Sequence, residues 1–589
     1  MHDLIVKGGL VVDGTGSAPY TADVAVDGDV ITAVGKVDER ARHVVDADGA
    51  VVAPGWIDVH THYDGQLTWD DHLEGSASNG VTTVVTGNCG VGFAPVRPGQ
   101  ESDLIDMMEG VEDIPGTALY EGIPWGSWES FPEYIDYLRR QSWAIDVGLQ
   151  IPHGPLRYYV MGPRSWDDDP GNSAATAGEL AQMVGLVRDA RVAGALGFST
   201  SRILFHRAMS GYSVPGTFAP EDELRALAGA LRESGPAVVQ AIPGGVNRKP
   251  SRAEDPYDLG DEVRMFGRIS RDCDVRITFT TAQSNEDPDA WQMALHTARA
   301  ENSAGAHLSP MISPRGATIL TTLQGYHYFM QRPTFLRYAS LSHAEMVAAL
   351  RRPEVKQAIL AESDVPDPKP GSMRNSLPAM FSHSLSRTFP LRMPLNYEPD
   401  RTESLEALAA QAGRDPFEFL YDFLIDEDGT AVGMLIAANY AHGNLDICRE
   451  MLLHPDTVSG LSDAGAHVNF ICDMGVATFH LTHWVRDRSR GETVPIELAV
   501  AKLTGVAAGT FGLTDRGELT AGKRADINVI DLDNLTTERP MLLQDLPAGG
   551  SRFLQPATGY ITTIKNGVQT RVADKDTGLR LGRIVRSSS

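Results

Sequence analysis

In the stretch 52–64, VAPGWIDVHTHYD, two histidines stand one residue apart. Alternate side chains of a strand share a face, so His60 and His62 project to the same side, within one ion's reach of each other. His-x-His also occurs on ordinary surface strands with nothing bound, and the surroundings decide between the two. Here the run 51–59 is mostly apolar, with Pro54 and Gly55 as a break, which suits a buried strand of a parallel sheet entered from another domain. The pair then falls at the carboxyl end of that strand, where barrel enzymes keep their chemistry.

Two more residues point to the same rim. Cys89, in TTVVTGNCGVG, directly follows a second apolar strand. An isolated cysteine between glycines reads as a small buried hydrophobe, but at a barrel mouth it competes as a thiolate ligand for a borderline-soft ion such as zinc. Asp463, in GLSDAGAH, follows the last apolar strand. It reads either as a turn or helix-cap aspartate, or as a fourth member of the cluster, because closing a barrel sets strand eight beside strand one.

The elements that must position these residues are legible as alternating patterns. Short β-type runs with Gly and Asp turns fill residues 3–52 and return in RGELTAGKRADINVIDLDNL and YITTIKNGVQTRV, so both termini are expected to build one small β-sandwich. Between them VVAPGWIDVHTH, GVTTVVTGNCG, AIDVGLQIPHG, AGALGFSTS, PAVVQAIPGG, VRITFTTAQS, AHLSPMISP and VSGLSDAGAH give eight strands, with helical stretches such as EDELRALAGALRESG between several of them. Eight is the number that closes a parallel barrel. The expected fold is therefore α/β: a (β/α)8 TIM-like barrel over 55–514, carrying an insertion at about 317–450, plus a β-sandwich from 1–54 and 515–589.

The 589 residues carry 51 Lys and Arg against 77 Asp and Glu, a net charge of -26, which argues against nucleic acid or an anionic membrane as partner. Four scattered cysteines make no disulfide framework, and no run of 18 apolar residues occurs, so a soluble cytoplasmic protein is expected, with homo-oligomerisation left open.

Beyond the residues themselves, LIVKGGLVVDGTG, PGWIDVHTH, GVTTVVTGNCG, HGPLRYYVMG, AGALGFSTS, SDAGAH and LTDRGELTAGKRADINVID resemble the amidohydrolase superfamily and, within it, the D-aminoacylase (N-acyl-D-amino-acid deacylase) branch. The resemblance spans nearly the whole chain outside the insertion. It implies zinc at the barrel mouth, ligand roles for His60, His62 and Cys89, and Asp463 as a ligand that binds the attacking water and passes its proton to the leaving nitrogen. The substrate class it implies is an N-acyl-D-amino acid or related small amide.

The chain departs from that branch at two strands. Strands five and six of the branch each end in a zinc-binding histidine, whereas PAVVQAIPGG and VRITFTTAQS contain none, leaving Gln240, Thr280, Thr281 and Gln283 as the nearest polar residues. Amides and hydroxyls are poor zinc ligands, so one ion per chain is favoured. Alternatively His206, with His153 and His467 behind it, reaches in as a replacement, or metal is bound weakly or not at all. No lysine stands on strand four, which disfavours a hydantoinase-like bridged site. Arg202, Arg207 and Arg315, with His206, are the candidates for holding a substrate carboxylate, and Trp125, Trp128 and Tyr158 for walling the acyl group. Two alternatives stay open: a mononuclear deaminase or other C–N hydrolase on the same scaffold, and a metal-poor binding or assembly relative.

Overall fold

The computed structural model describes residues 1–247 and 258–587. Its centre is a parallel barrel whose strands are β1 (Trp56–Asp58), β2 (Val81–Thr86), β3 (Asp146–Pro152), β4 (Gly197–Ser201), β5 (Val238–Ile242), β6 (Arg276–Thr280), β7 (Leu308–Ile312) and β8 (Val458–Ser459). They are hydrogen-bonded in chain order, and the ring closes through a parallel bridge between Thr61 and Ala464, with His62 N donating to Ala464 O at 2.8 Å. These are the eight strands expected from the apolar runs. Every residue of β2 to β5 is buried, which is why they read as continuous apolar or small-residue runs rather than alternating ones.

Both termini enter one nine-stranded sheet. Val51–Pro54 pairs antiparallel with Ile527–Ile530 and parallel with His2–Val11, and Leu4, Val24, Val52, Ile527, Val529 and Ile564 share one core. The apolar run 51–59 thus serves two sheets in turn. The switch falls at Gly55, where a Cβ would stand 2.3 Å from the Thr82 side chain, so only glycine lets the chain pass from terminal sheet to barrel there.

Sheet and barrel are joined by a buried ionic cluster. Lys565 Nζ reaches Asp526 Oδ2 at 2.8 Å and Asp146 Oδ2 at 2.7 Å, and Arg516 Nη1 reaches the same Asp146 oxygen at 2.6 Å. Asp146 opens β3, so the cluster ties the amino end of the barrel to the terminal sheet.

Two long connections build the other end. Between β2 and β3 lie three helices, the first being α1 (Glu101–Glu112). Between β7 and β8 an antiparallel sheet of Ala317–Thr321, Thr388–Pro390 and Gly433–Ala438 is packed with helices that have their own core, including Phe329, Phe335, Val347 and Leu424. Among the described residues no helix is long and apolar enough to cross a membrane.

Candidate metal centre

The carboxyl ends of β1, β2 and β8 meet over the barrel core, and the chain leaves strand geometry abruptly at each site residue. After β2, Gly87 takes φ 82°, and a Cβ there would stand 2.2 Å from the Gln150 carbonyl oxygen. Asn88 then donates to the carbonyls of Thr61 and Val85 at 3.0 and 2.9 Å, and Cys89 sits in the left-handed region at φ 55°. After β8, Asp463 also takes a left-handed φ, 48°. Left-handed backbone at a residue other than glycine costs on the order of 1 kcal/mol, and it persists here because fixed bonds on either side determine it. Asp58 supplies one such bond: it accepts from Ser462 Oγ and, at 3.3 Å, from His60 N, latching β1 to the loop after β8.

The side chains converge. Cys89 Sγ lies 3.4 Å from His60 Nε2 and 3.7 Å from His62 Nε2, and one ligand atom from each of the three residues falls within 4.8 Å of the others. Asp463 Oδ1 stands 3.4 Å from His60 Nε2 and 3.9 Å from His62 Nε2. Ligand atoms around a tetrahedral zinc ion are separated by roughly 3.4 to 3.8 Å, given its usual bond lengths. The Asp463 carboxylate accepts no hydrogen bond from a backbone N–H among the described residues.

The electrostatics fit a cation. Burial, then the neighbouring His206 and His467, lowers His60 to about 3, and burial likewise holds His62 well below its ordinary value, so both rings are neutral with a lone pair to offer. Burial pushes the Cys89 thiol up, helped by the carboxylates of Glu112, Asp463 and Asp64. Asp463 is pushed up to about 8 by burial and then by Asp473 and Asp58. Two lone-pair donors, a buried thiol and a partly exposed carboxyl that both resist ionising are a donor set that a divalent ion would satisfy.

The cluster floors a cleft of about 200 Å3, open to solvent. Ile203, Ile242, Val246 and Leu461 give it apolar walls, and Ala317, Ala438 and Asn439 bring in the β7–β8 connection. His206 and His467 also line it, with His206 Nδ1 2.9 Å from Ser201 Oγ.

Several sequence-derived candidates stand elsewhere. Arg202 is a correction: its guanidinium is buried, donating to Glu262 Oε1 at 2.6 Å and to the Ala219 carbonyl at 2.7 Å, so it holds the scaffold and does not face the cleft. Arg315 is likewise buried, donating to the Cys472 carbonyl and to Asp473 Oδ1 at 2.9 Å each and lying 3.9 Å over the Tyr397 ring. Arg207 donates to the Gly211 carbonyl at 2.7 Å. His153 is held between Thr200 Oγ1 and Glu223 Oε1, at 2.9 Å each. Trp128 donates to the Phe93 carbonyl at 2.9 Å, Trp125 packs edge-on to Phe93 and Tyr158 donates to Asp103 at 2.5 Å, so this aromatic group packs beside α1 rather than on the cleft wall.

The two strands without histidine are explained by what their polar residues do. Gln240 on β5 accepts from Cys89 N through Oε1 at 3.1 Å. Gln283 accepts from Ala441 N at 2.9 Å, away from the cluster, and Thr280 alone of the four faces the cleft.

Among the cleft residues that the sequence reading did not name, Glu112 lies nearest the cluster's chemistry, 3.4 Å from His62 Nδ1. Glu112, the last residue of α1, lines the cleft with a side chain only 1% exposed. Its signal was there: Leu104, Met108 and Glu112 follow one another at the four-residue spacing of a single helix face, and an acid at the end of an apolar stripe wants a partner.

Comparison with known proteins gives the family. The model of the amidohydrolase family matches residues 43–571. An uncharacterised protein of Mycobacterium tuberculosis is 30% identical over 571 residues, covering 91% of this chain and 85% of the relative. A D-aminoacylase of Alcaligenes xylosoxydans xylosoxydans is 27% identical over 592 residues, covering 99% and 97%. Among solved structures, N-acyl-D-glutamate deacylase from Bordetella bronchiseptica, complexed with zinc and a phosphonate inhibitor, superposes with a TM-score of 0.62 at 23% identity over 99% of each chain.

Proposed function

The chain belongs to the amidohydrolase family, and from that premise we propose that it hydrolyses the amide C–N bond of an N-acyl-D-amino acid or a related small amide, using one divalent metal ion per chain. The observation that carries this reading is the meeting of His60, His62 and Cys89 within 4.8 Å, with Asp463 Oδ1 3.4 Å from one imidazole and 3.9 Å from the other. The D-aminoacylase and N-acyl-D-aspartate deacylase of Alcaligenes xylosoxydans xylosoxydans, each 27% identical to this chain, support the substrate class.

Imidazole and thiolate donors suit zinc, and a zinc ion bound there would polarise the acyl oxygen and acidify a water. The chain's own residues do the rest. His60 and His62 offer Nε2 lone pairs, Cys89 a thiolate once its proton is displaced. These three residues would hold the ion, and the Asp463 carboxyl stands beside both rings, its Oδ1 3.4 Å from His60 Nε2 and 3.9 Å from His62 Nε2. A cation seated beside it would favour the ionised form of Asp463, and as a carboxylate it is suited to take the water's proton and deliver it to the leaving nitrogen. The apolar wall of Ile203, Ile242 and Val246 receives the acyl chain and limits bulk water. With Gln240 committed to the Cys89 backbone, a second tightly held ion lacks ligands on β5.

Elemental analysis of purified protein should find about one zinc or similar ion per chain, and His60→Ala or His62→Ala should lose metal and amide hydrolysis together. Two firmly held ions per chain would sink the mononuclear reading. Finding none would favour a binding relative, and release of ammonia in place of an acid and an amine would favour a deaminase.

A further inference from the structure

We propose that Glu112 is a positioning residue of the metal centre: its buried carboxylate holds the Nδ1 side of His62 and so keeps the Nε2 lone pair aimed at the seat shared with Cys89 and Asp463. The inference rests on the ligand role of His62 proposed above. Glu112 Oε1 stands 3.4 Å from His62 Nδ1 while His62 Nε2 faces Cys89 and Asp463, so the ring lies between carboxylate and seat. Oε1 and Nδ1 take no hydrogen bond elsewhere among the described residues, which makes each the other's partner in waiting. The second oxygen, Oε2, stands 3.4 Å from His467 Nε2, and the Glu112 carbonyl accepts from His467 N. Through His467, four residues beyond Asp463, the end of α1 also braces the loop that carries the proposed proton carrier.

Three physical points separate this from scaffolding. A carboxylate behind the distal nitrogen of a ligating imidazole fixes its tautomer and raises its basicity. A carboxylate in the last turn of a helix works against the helix dipole, so local electrostatics does not explain an acid there. Finally, a buried carboxyl with one oxygen unsatisfied costs stability, and a glutamine or an apolar side chain would serve packing better.

The test is titration of Zn2+ into metal-free protein against a chromophoric competitor, alongside thermal unfolding of the metal-free forms. Glu112→Ala should bind Zn2+ 10- to 100-fold more weakly than wild type, with Glu112→Gln between them, because its amide oxygen can still accept from Nδ1. The melting temperature of metal-free Glu112→Gln should not fall. In a His62→Ala background, Glu112→Ala should add no further loss of affinity. Wild-type affinity in Glu112→Ala would overturn the inference and leave the metal reading intact. So would a weakened affinity that tracks an equal loss of stability in the metal-free Gln variant. Failure of wild type to bind Zn2+, or unchanged binding by His62→Ala, would overturn both together.

Discussion

At the scale of single residues, Asp463 separates chemistry from architecture most sharply. Asparagine keeps its size, tolerates the left-handed φ of 48° and removes only the ability to carry a proton. General acid–base help is worth about 10² to 10⁴ in rate, so Asp463→Asn should lose turnover by that factor on any N-acyl-D-amino acid the wild type accepts. Its effect on the metal-free fold runs the other way. An acid raised from 3.8 to about 8 holds its proton in the folded state across that interval, so its contribution to stability falls as pH rises through it. Metal-free Asp463→Asn should therefore melt at a higher temperature than wild type at pH 8 and near the same temperature at pH 4. Near-normal turnover in this variant would remove Asp463 from the mechanism.

Elements set where such residues can stand. The helix His153–Met161 follows β3, and Glu221–Arg232 follows the long loop after β4; Glu223, in the first turn of the latter, pins the two together through His153 Nε2 at 2.9 Å and through Arg157. Burial alone would raise the Glu223 carboxyl, but the hydrogen bonds and charges of His153 and Arg157 bring it down to about 2. A carboxyl lowered from 4.5 stabilises the fold above pH 4.5 and loses that contribution as pH falls toward 2. Glu223→Gln should thus cost about 3 kcal/mol at pH 7, the free-energy equivalent of that shift. Denaturant unfolding as a function of pH should show the gap between variant and wild type closing by pH 2. A gap that is constant with pH would mean that packing, not the ion pairs, is what Glu223 supplies.

Over the whole molecule, the terminal sheet matters to the barrel through the buried cluster of Lys565, Asp146, Asp526 and Arg516. Lys565 is fully buried, so Lys565→Met would leave Asp526 without its 2.8 Å partner and Asp146 with Arg516 as its remaining cationic partner, beside the hydrogen bond it accepts from Arg583 N. Breaking one member of a buried ionic group costs roughly 3 to 5 kcal/mol, and urea unfolding should show a loss of that order. The cluster is at the amino end of β3 and the metal centre at the opposite end of the barrel, so the folded variant should keep its metal content per chain. Loss of metal from folded Lys565→Met would show that the two ends of the barrel are coupled.

Sequence by itself determined the eight barrel strands, the sharing of one sheet by both termini, and the residues His60, His62, Cys89 and Asp463 at strand ends. These follow from local signals: apolar runs, turn chemistry and the two-residue period of a strand, read in a fold whose strands pair in chain order. What a long polar side chain does was decided only in three dimensions. Arg202 is spent on Glu262, 60 residues on, and Gln240 on the backbone of Cys89, 151 residues back, and neither commitment leaves a trace in neighbouring residues. Glu112 announced itself only as an acid at the end of an apolar helix face, and its partners at 62 and 467 became visible when α1 was folded over the barrel mouth. The Asp58 latch to Ser462 spans 404 residues. Local pattern fixes which way a side chain points from its own strand or helix; the hydrogen-bond and charge partners that decide its role come from packing between segments distant in the chain, and that information resides in the tertiary structure alone.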